Sequence, residues 1–224
     1  MVGQINPKKT AMKYKIFFLS LLVALVSACN KDTITQNDHQ VGESTVTYYV
    51  VLTLNGQPTM SVVKGTSFTD PGVQATENGQ PVNYTTTGSV DVSTSGLYVL
   101  TYSAVNQDGY ASSISRNVVV IDAPPASDVD ISGSYSYVGS STYTSTVSMV
   151  APGVYSTDNI WSGTIIIPCI FVCLDGATIT IPQQSSGYGP IFGTGTLSNT
   201  GTLVYSVSIP NFGISGSNRT WQKN

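Results

Sequence analysis

The sequence predicts an all-β protein: a β-sandwich followed by a second antiparallel β-domain, either a sandwich or a small barrel. Three observations carry this. Charged residues make up only 9% of the 224 residues, against about 25% in an average soluble protein, while Ser, Thr, Gly and Tyr are interleaved with Val and Ile, a mixture that suits pleated sheets. Apolar residues recur at every second position in several short runs separated by turn signals. Beyond the first 28 residues no segment shows a helical period, and the length allows one large or two small domains.

Residues 1–28 read as a leader. Lys13 and Lys15 form a positive region, Ile16 to Val26 an apolar run, and Ser27-Ala28 the small residues of a cleavage site; Met12, just before these lysines, is an alternative start to Met1. The apolar run is too short to cross a bilayer core of about 30 Å. Val26-Ser27-Ala28-Cys29 resembles the lipobox of bacterial lipoproteins, which implies that Cys29 is acylated and becomes the first residue of the mature chain; several acyl chains on one residue give lasting attachment. The alternative is a chance cysteine after a plain cleavage site. Residues 29–44, polar and without apolar periodicity, then form a flexible tether. Lys31-Asp32 resembles the short signal that sends lipoproteins to the outer face of the outer membrane in bacteria with Sus-type (starch-utilisation-like) uptake systems, and Asp32-Thr33-Ile34 resembles an O-glycosylation motif of the same bacteria.

Residues 45–122 form the first domain. In "STVTYYVVLTLNG" the side chains of Val46, Tyr48, Val50, Leu52 and Leu54 fall on one face before an Asn55-Gly56 turn. "GLYVLTYSAVNQDG" repeats the pattern with Tyr98, Leu100, Tyr102 and Ala104, and closes on Asp108-Gly109. "ISRNVVVID" can return antiparallel beside it. Asp70-Pro71-Gly72 is a turn set, with Pro fixing φ and Gly taking positive φ. Asp70, Asp91 and Asp108 stand apart, so turn capping is expected of them rather than the clustered carboxylates of a calcium site. The Gly65 turn, Phe68, Asp70-Pro71-Gly72-Val73, Gly96-x-Tyr98, Tyr102-x-Ala104 and the Asp108-Gly109 turn together resemble the bacterial immunoglobulin-like domain of surface proteins and some crystal toxins. That resemblance implies an immunoglobulin-like sandwich, with Tyr110 in place of the usual asparagine after the turn glycine.

After a proline-bearing linker at 123–128, residues 129–224 carry further strand-like runs, among them "ISGSYSYVG", "STYTSTVSMV", "ATITIP" and "TLVYSVSIP", with hairpins expected at Asp175-Gly176 and "SNTG". The leading Gly-x-Tyr strand, the "APGVYSTDNIWSG" step, a Gly-rich segment before a last hairpin and the "NRTWQKN" end resemble the C-terminal β-domain of lipoproteins from Sus-type loci. Cys169 and Cys173 would stand roughly 13 Å apart on a regular strand, beyond the bridging limit of about 7 Å, so two free, buried thiols are expected unless a turn separates them. No third metal ligand is near, and neither metal nor cofactor is expected.

Three aromatic residues are candidates for ligand contact: Trp161, Tyr188 and Trp221. "SSGYGPIFGTG" reads as a Gly-rich loop that presents Tyr188, and exposed aromatics stack on sugar rings or grip peptides. The bland reading is that the tryptophans fill the core and Tyr188 lies on a rim. Past the leader only five basic residues face twelve acidic ones, with no basic stripe to neutralise phosphates, so nucleic acid is not an expected partner. The sole histidine, His39, lies in the tether, which removes histidine triads. The expected function is therefore non-catalytic: a lipoprotein held in the outer membrane, accessory to a Sus-type importer, meeting its transporter and binding lipoprotein or a glycan or peptide nutrient. The alternative is a structural or adhesion protein without a soluble ligand.

Overall fold

The computed structural model describes residues 46–224 apart from residue 164; the expected leader, Cys29 and the tether lie outside the described residues. Strand alternation builds the first domain as two facing sheets. One holds β1 (Val51–Leu54), β3 (Val73–Glu77) and β4 (Gln80–Pro81), in the order β1-β3-β4. The other holds β2 (Thr59–Val63), β5 (Thr85–Thr87), β6 (Gly96–Val105) and β7 (Ala111–Ile121), in the order β2-β7-β6-β5. Val62, Leu100, Tyr102, Val118 and Val120 of one sheet close on Val73 of the other. The β6 alternation holds, with Leu100, Tyr102 and Ala104 all buried. The β1 alternation holds only in part: Val50 is buried, but Val46 and Tyr48 are exposed, because β1 begins at Val51 and its pairing with β3 ends there, opposite Thr76. Parallel pairing of β2 with β7, from Thr59 beside Asn117 to Val63 beside Ile121, is not signalled by any alternation.

Arg116, one of five basic residues beyond residue 28, is fully buried between the sheets. Its Nη2 donates to the carbonyls of Asn55 (2.7 Å) and Gly72 (3.2 Å), and its Nη1 to Asp70 Oδ1 at 3.2 Å. Asp70 Oδ1 also accepts from the Gly72 N–H (3.1 Å) and from the Tyr102 hydroxyl (2.6 Å). The expected turn carboxylate is thus also the counter-ion that lets a guanidinium be buried. Burial, and the hydrogen bond to an anion, push the Tyr102 phenol up to about 12.

The second domain is a closed barrel of eight strands: β8 (Gly133–Tyr137), β9 (Ser140–Ala151), β10 (Val154–Thr157), β11 (Cys169–Val172), β12 (Thr178–Ser186), β13 (Gly189–Leu197), β14 (Thr202–Ile209) and β15 (Ile214–Lys223). Each strand pairs antiparallel with the next, and β15 returns to β8 with Trp221 opposite Tyr137. Closure leaves no sheet edge exposed to solvent. The interior is a packed core, since an eight-stranded barrel is about wide enough for side chains alone: Tyr135, Tyr155, Phe171, Tyr205 and Trp221 fill it. Where β12 pairs with β11 only at Thr180 opposite Val172, the Gln184 side chain completes the ladder, accepting from the Ile170 N–H (2.8 Å) and donating to its carbonyl (2.7 Å).

The Gly-rich segment corrects the sequence reading. It is not a loop: most of it is β13. A Cβ on Gly193 would collide with the Ser206 carbonyl of β14, and one on Gly195 would stand 2.5 Å from the Val204 carbonyl. These glycines are therefore required by close strand approach rather than by loop flexibility. Cys169 and Cys173 are free and buried, as the spacing suggested, and burial pushes both thiols up.

Residues 47–224 form one compact unit. Along β7 the even positions Ile114, Arg116, Val118 and Val120 face the sandwich core, yet Val119 and Ile121, on the opposite face, are also buried. They pack with Ala151 and Val154 of the barrel, beside Leu97, Ile170 and Val172. The linker joins this seam, with the Ala126 N–H donating to the Leu174 carbonyl at 2.9 Å.

Candidate binding surface at the far end of the barrel

Successive turns of an up-and-down barrel alternate between its two ends. The β9–β10, β11–β12 and β13–β14 turns therefore lie at the end where the linker enters. The β8–β9, β10–β11, β12–β13 and β14–β15 connections lie at the other. Trp161, Tyr188 and Phe212 all belong to connections of this second, far end.

The β10–β11 connection folds over the barrel mouth. Ile160 and Ile167 are buried in the core and joined by an Ile160 N–H to Ile167 carbonyl bond of 2.8 Å. Asn159 Oδ1 holds the segment by accepting from the Trp161 N–H at 3.0 Å. Trp161 is left half-buried, with the guanidinium carbon of Arg219 only 3.6 Å from its ring centre. Arg219 Nη1 donates to Ser217 Oγ (3.0 Å) and the Asn218 carbonyl (2.8 Å), and its buried Nε has no partner among the described residues. A flat guanidinium on an indole is a rigid platform, with the cation attracted by the negative face of the ring.

Tyr188 sits in the tight β12–β13 turn, its N–H held by Ser186 Oγ at 3.1 Å. Its half-buried ring leans on the core and meets Phe212 at 5.9 Å in an edge-on arrangement. Phe212 belongs to a 3-10 turn, Pro210–Phe212, and is 61% exposed. The sequence reading passed over it. Its signal was there in "IPNFGIS", an aromatic at the apex of a Pro/Gly turn that strand alternation does not explain.

Trp221 does not join this surface. It is fully buried, facing the barrel interior from β15 and packed edge-on against Tyr137 at 5.2 Å, so it is a core residue out of a ligand's reach. Trp161 and Tyr188 are brought to the same end, each half-covered. Three carboxylates are engaged locally: Asp91, Asp130 and Asp175 accept from the N–H groups of Ser93, Ser132 and Ala177 in their own turns. The Ser93 and Ser132 hydroxyls, with their N–H groups, hold Asp91 and Asp130 below the usual carboxylate range, and the Thr178 and Ala177 N–H groups lower Asp175 to about 2.

The chain enters the first domain at the end of the sandwich away from the barrel. Asn106, at the turn between β6 and β7, donates from Nδ2 to the Tyr48 carbonyl at 2.7 Å. From that turn the 11 residues of β7 run the length of the sandwich, about 35 Å at the usual rise, to the seam with the barrel.

Residues 52–120 match the family described as bacterial surface protein, Ig-like domain. No curated protein matches the chain. Among solved structures, a lipoprotein from Bacteroides thetaiotaomicron is similar at 24% identity, with 79% of this chain and 100% of that one covered and a TM-score of 0.40. Over residues 52–120, then, the chain is similar to the immunoglobulin-like domain of bacterial surface proteins.

Proposed function

We propose that this chain is a non-catalytic surface lipoprotein, held in the outer membrane through acylated Cys29 and facing outward. In this reading it is accessory to a Sus-type importer, and its barrel offers Trp161, Tyr188 and Phe212 to a glycan or peptide or to a component of the importer. One observation carries the reading. The chain enters the first domain beside Tyr48, at the end remote from the barrel, and the exposed aromatic turns lie at the barrel end remote from that domain. A tethered molecule so built holds its aromatic end away from the membrane, with the immunoglobulin-like domain as spacer. The lipobox residues Val26 to Cys29 and the surface-protein family match over residues 52–120 support the same reading.

The experiment is isolation of the full chain from detergent-solubilised outer membranes. An importer accessory comes out with a porin-type transporter and its binding lipoprotein, and Cys29→Ser abolishes membrane retention. Recovery of the chain alone supports an adhesion or structural protein instead, and retention of the Cys29→Ser protein removes the anchor.

A further inference from the structure

The two domains enclose a cleft of about 530 Å³ beside their apolar seam, at the end of the barrel opposite Trp161. Such a volume lies within the usual range for ligand pockets, and domain junctions are where such pockets concentrate. Leu97, Val119 and Ile121 from the first domain, and Val172 and Leu174 from the barrel, supply apolar lining.

Two carboxylates, Asp122 and Asp175, also line it, and the lining contains no Lys, Arg or His. Asp122 is turned toward β6, where its Oδ1 accepts from Ser95 Oγ at 2.5 Å. The basic residue nearest in the sheet is Lys64, whose N–H donates to the Ile121 carbonyl. It follows β2, on the other side of β7, and among the described residues it makes no ion pair with Asp122. Asp175 is fixed by the Ala177 and Thr178 N–H groups and by Thr178 Oγ1. The cleft thus joins an apolar surface to two uncompensated negative charges.

The wall contains one more feature. β5 pairs with β6 only from Thr101 to Ser103, so Gly96, Leu97 and Tyr98, which line the cleft, have β7 on one side and, among the described residues, no strand on the other. Their outward main-chain groups are open to the kind of pairing by which extended peptides are recognised.

We infer that this cleft binds an extended polypeptide segment in which a lysine or arginine is flanked by aliphatic residues, with the cation at Asp122 and Asp175 and the aliphatic side chains on Leu97, Val119 and Ile121. Charge selects the basic residue, and the open backbone of Gly96 to Tyr98 selects a peptide over a simple amine.

Titration of the isotope-labelled mature chain, followed by amide NMR, tests this with four probes: acetyl-Leu-Lys-Val-amide, its Gln and Glu counterparts, and hexylamine. The lysine peptide shifts the amides of Gly96, Leu97 and Gly176. Its Gln counterpart binds about tenfold more weakly, as expected for the loss of one charge-assisted contact, and the Glu counterpart more weakly still. In Asp122→Asn the lysine peptide weakens toward the level of the Gln peptide, Asp175 remaining, while the far-end amides of Tyr188 and Phe212 are unmoved. Equal binding of the Lys and Gln peptides, an unchanged affinity in Asp122→Asn, or no shift at the cleft at millimolar peptide overturns the inference. Hexylamine binding as tightly as the peptide overturns its assignment to polypeptide.

Discussion

The guanidinium carbon of Arg219 lies over the ring of Trp161, 3.6 Å from its centre, at the barrel mouth. The other tryptophan, Trp221, is sealed in the core, so quenching of tryptophan emission by acrylamide reports on Trp161. A lysine ammonium cannot reproduce the planar stack. Arg219→Lys is therefore expected to increase quenching, at a cost in stability of about 1 kcal/mol. Unchanged quenching would show that the stack does not hold the ring.

Among the described residues Asp70 is the only carboxylate on the buried Arg116. Asp70→Ala leaves that charge with carbonyl acceptors alone, which is expected to cost about 2 to 3 kcal/mol, less than a fully buried pair because the Asp70 side chain is 27% exposed. Asp70→Asn keeps an acceptor for the Gly72 N–H and is expected to cost less. Urea midpoints measure both. A loss under about 0.5 kcal/mol for Asp70→Ala, the size of an ordinary surface substitution, would contradict the role given to this residue.

Gly193→Ala drives a methyl into the Ser206 carbonyl of the neighbouring strand. The barrel must spread at the β13–β14 pair, at an expected cost of about 2 kcal/mol or more. Gly187→Ala, in the adjoining turn where a Cβ meets nothing within 4 Å, is the control and leaves the melting temperature nearly unchanged. Equal melting of the two variants would return this segment to the loop reading.

Acid should weaken the fold through its turn carboxylates. Asp175 has a folded value of about 2 against an ordinary 3.8, the Thr178 and Ala177 N–H groups being the main causes, and Asp91 and Asp130 are shifted the same way. A depressed folded value means that the unfolded chain takes up protons first. The contribution is complete above the ordinary value and is lost as pH falls through 3.8 toward 2. Asp175→Ala is expected to lower stability at pH 6 and to flatten its fall between pH 4 and 2; a slope identical to the parent's would remove Asp175 from this account.

The parts of the fold that alternation governs were legible in the sequence. Leu100, Tyr102 and Ala104 are where a period of two puts them, and Asp70-Pro71-Gly72 makes its turn. What escaped involves pairing between distant residues. Arg116 looks like one more polar position on a strand until Asp70, 46 residues earlier, is brought beside it. Gly193 and Gly195 have the composition of a loop and the role of a close-packed strand, because the neighbour that demands their missing side chains is named only by the barrel's register. Trp221 and Trp161 could not be sorted by residue type: one alternates into the barrel, while the other sits on a connection pinned by Asn159. The seam at Val119 and Ile121 was visible as an unbroken apolar run, "VVVI", with no way to tell that its second face met another domain.

The far end of the barrel, with Trp161, Tyr188 and Phe212, is expected to be the surface that meets nutrient or importer, separate from the cleft beside the immunoglobulin-like domain, which Thr200 does not line. The most direct test places a photo-crosslinking amino acid at Phe212, and separately at Thr200 in the β13–β14 turn, in the full-length chain on intact cells. The account predicts covalent adducts, read by mass spectrometry, from position 212 and none from position 200. Adducts from position 200 alone, or from neither position, would contradict it.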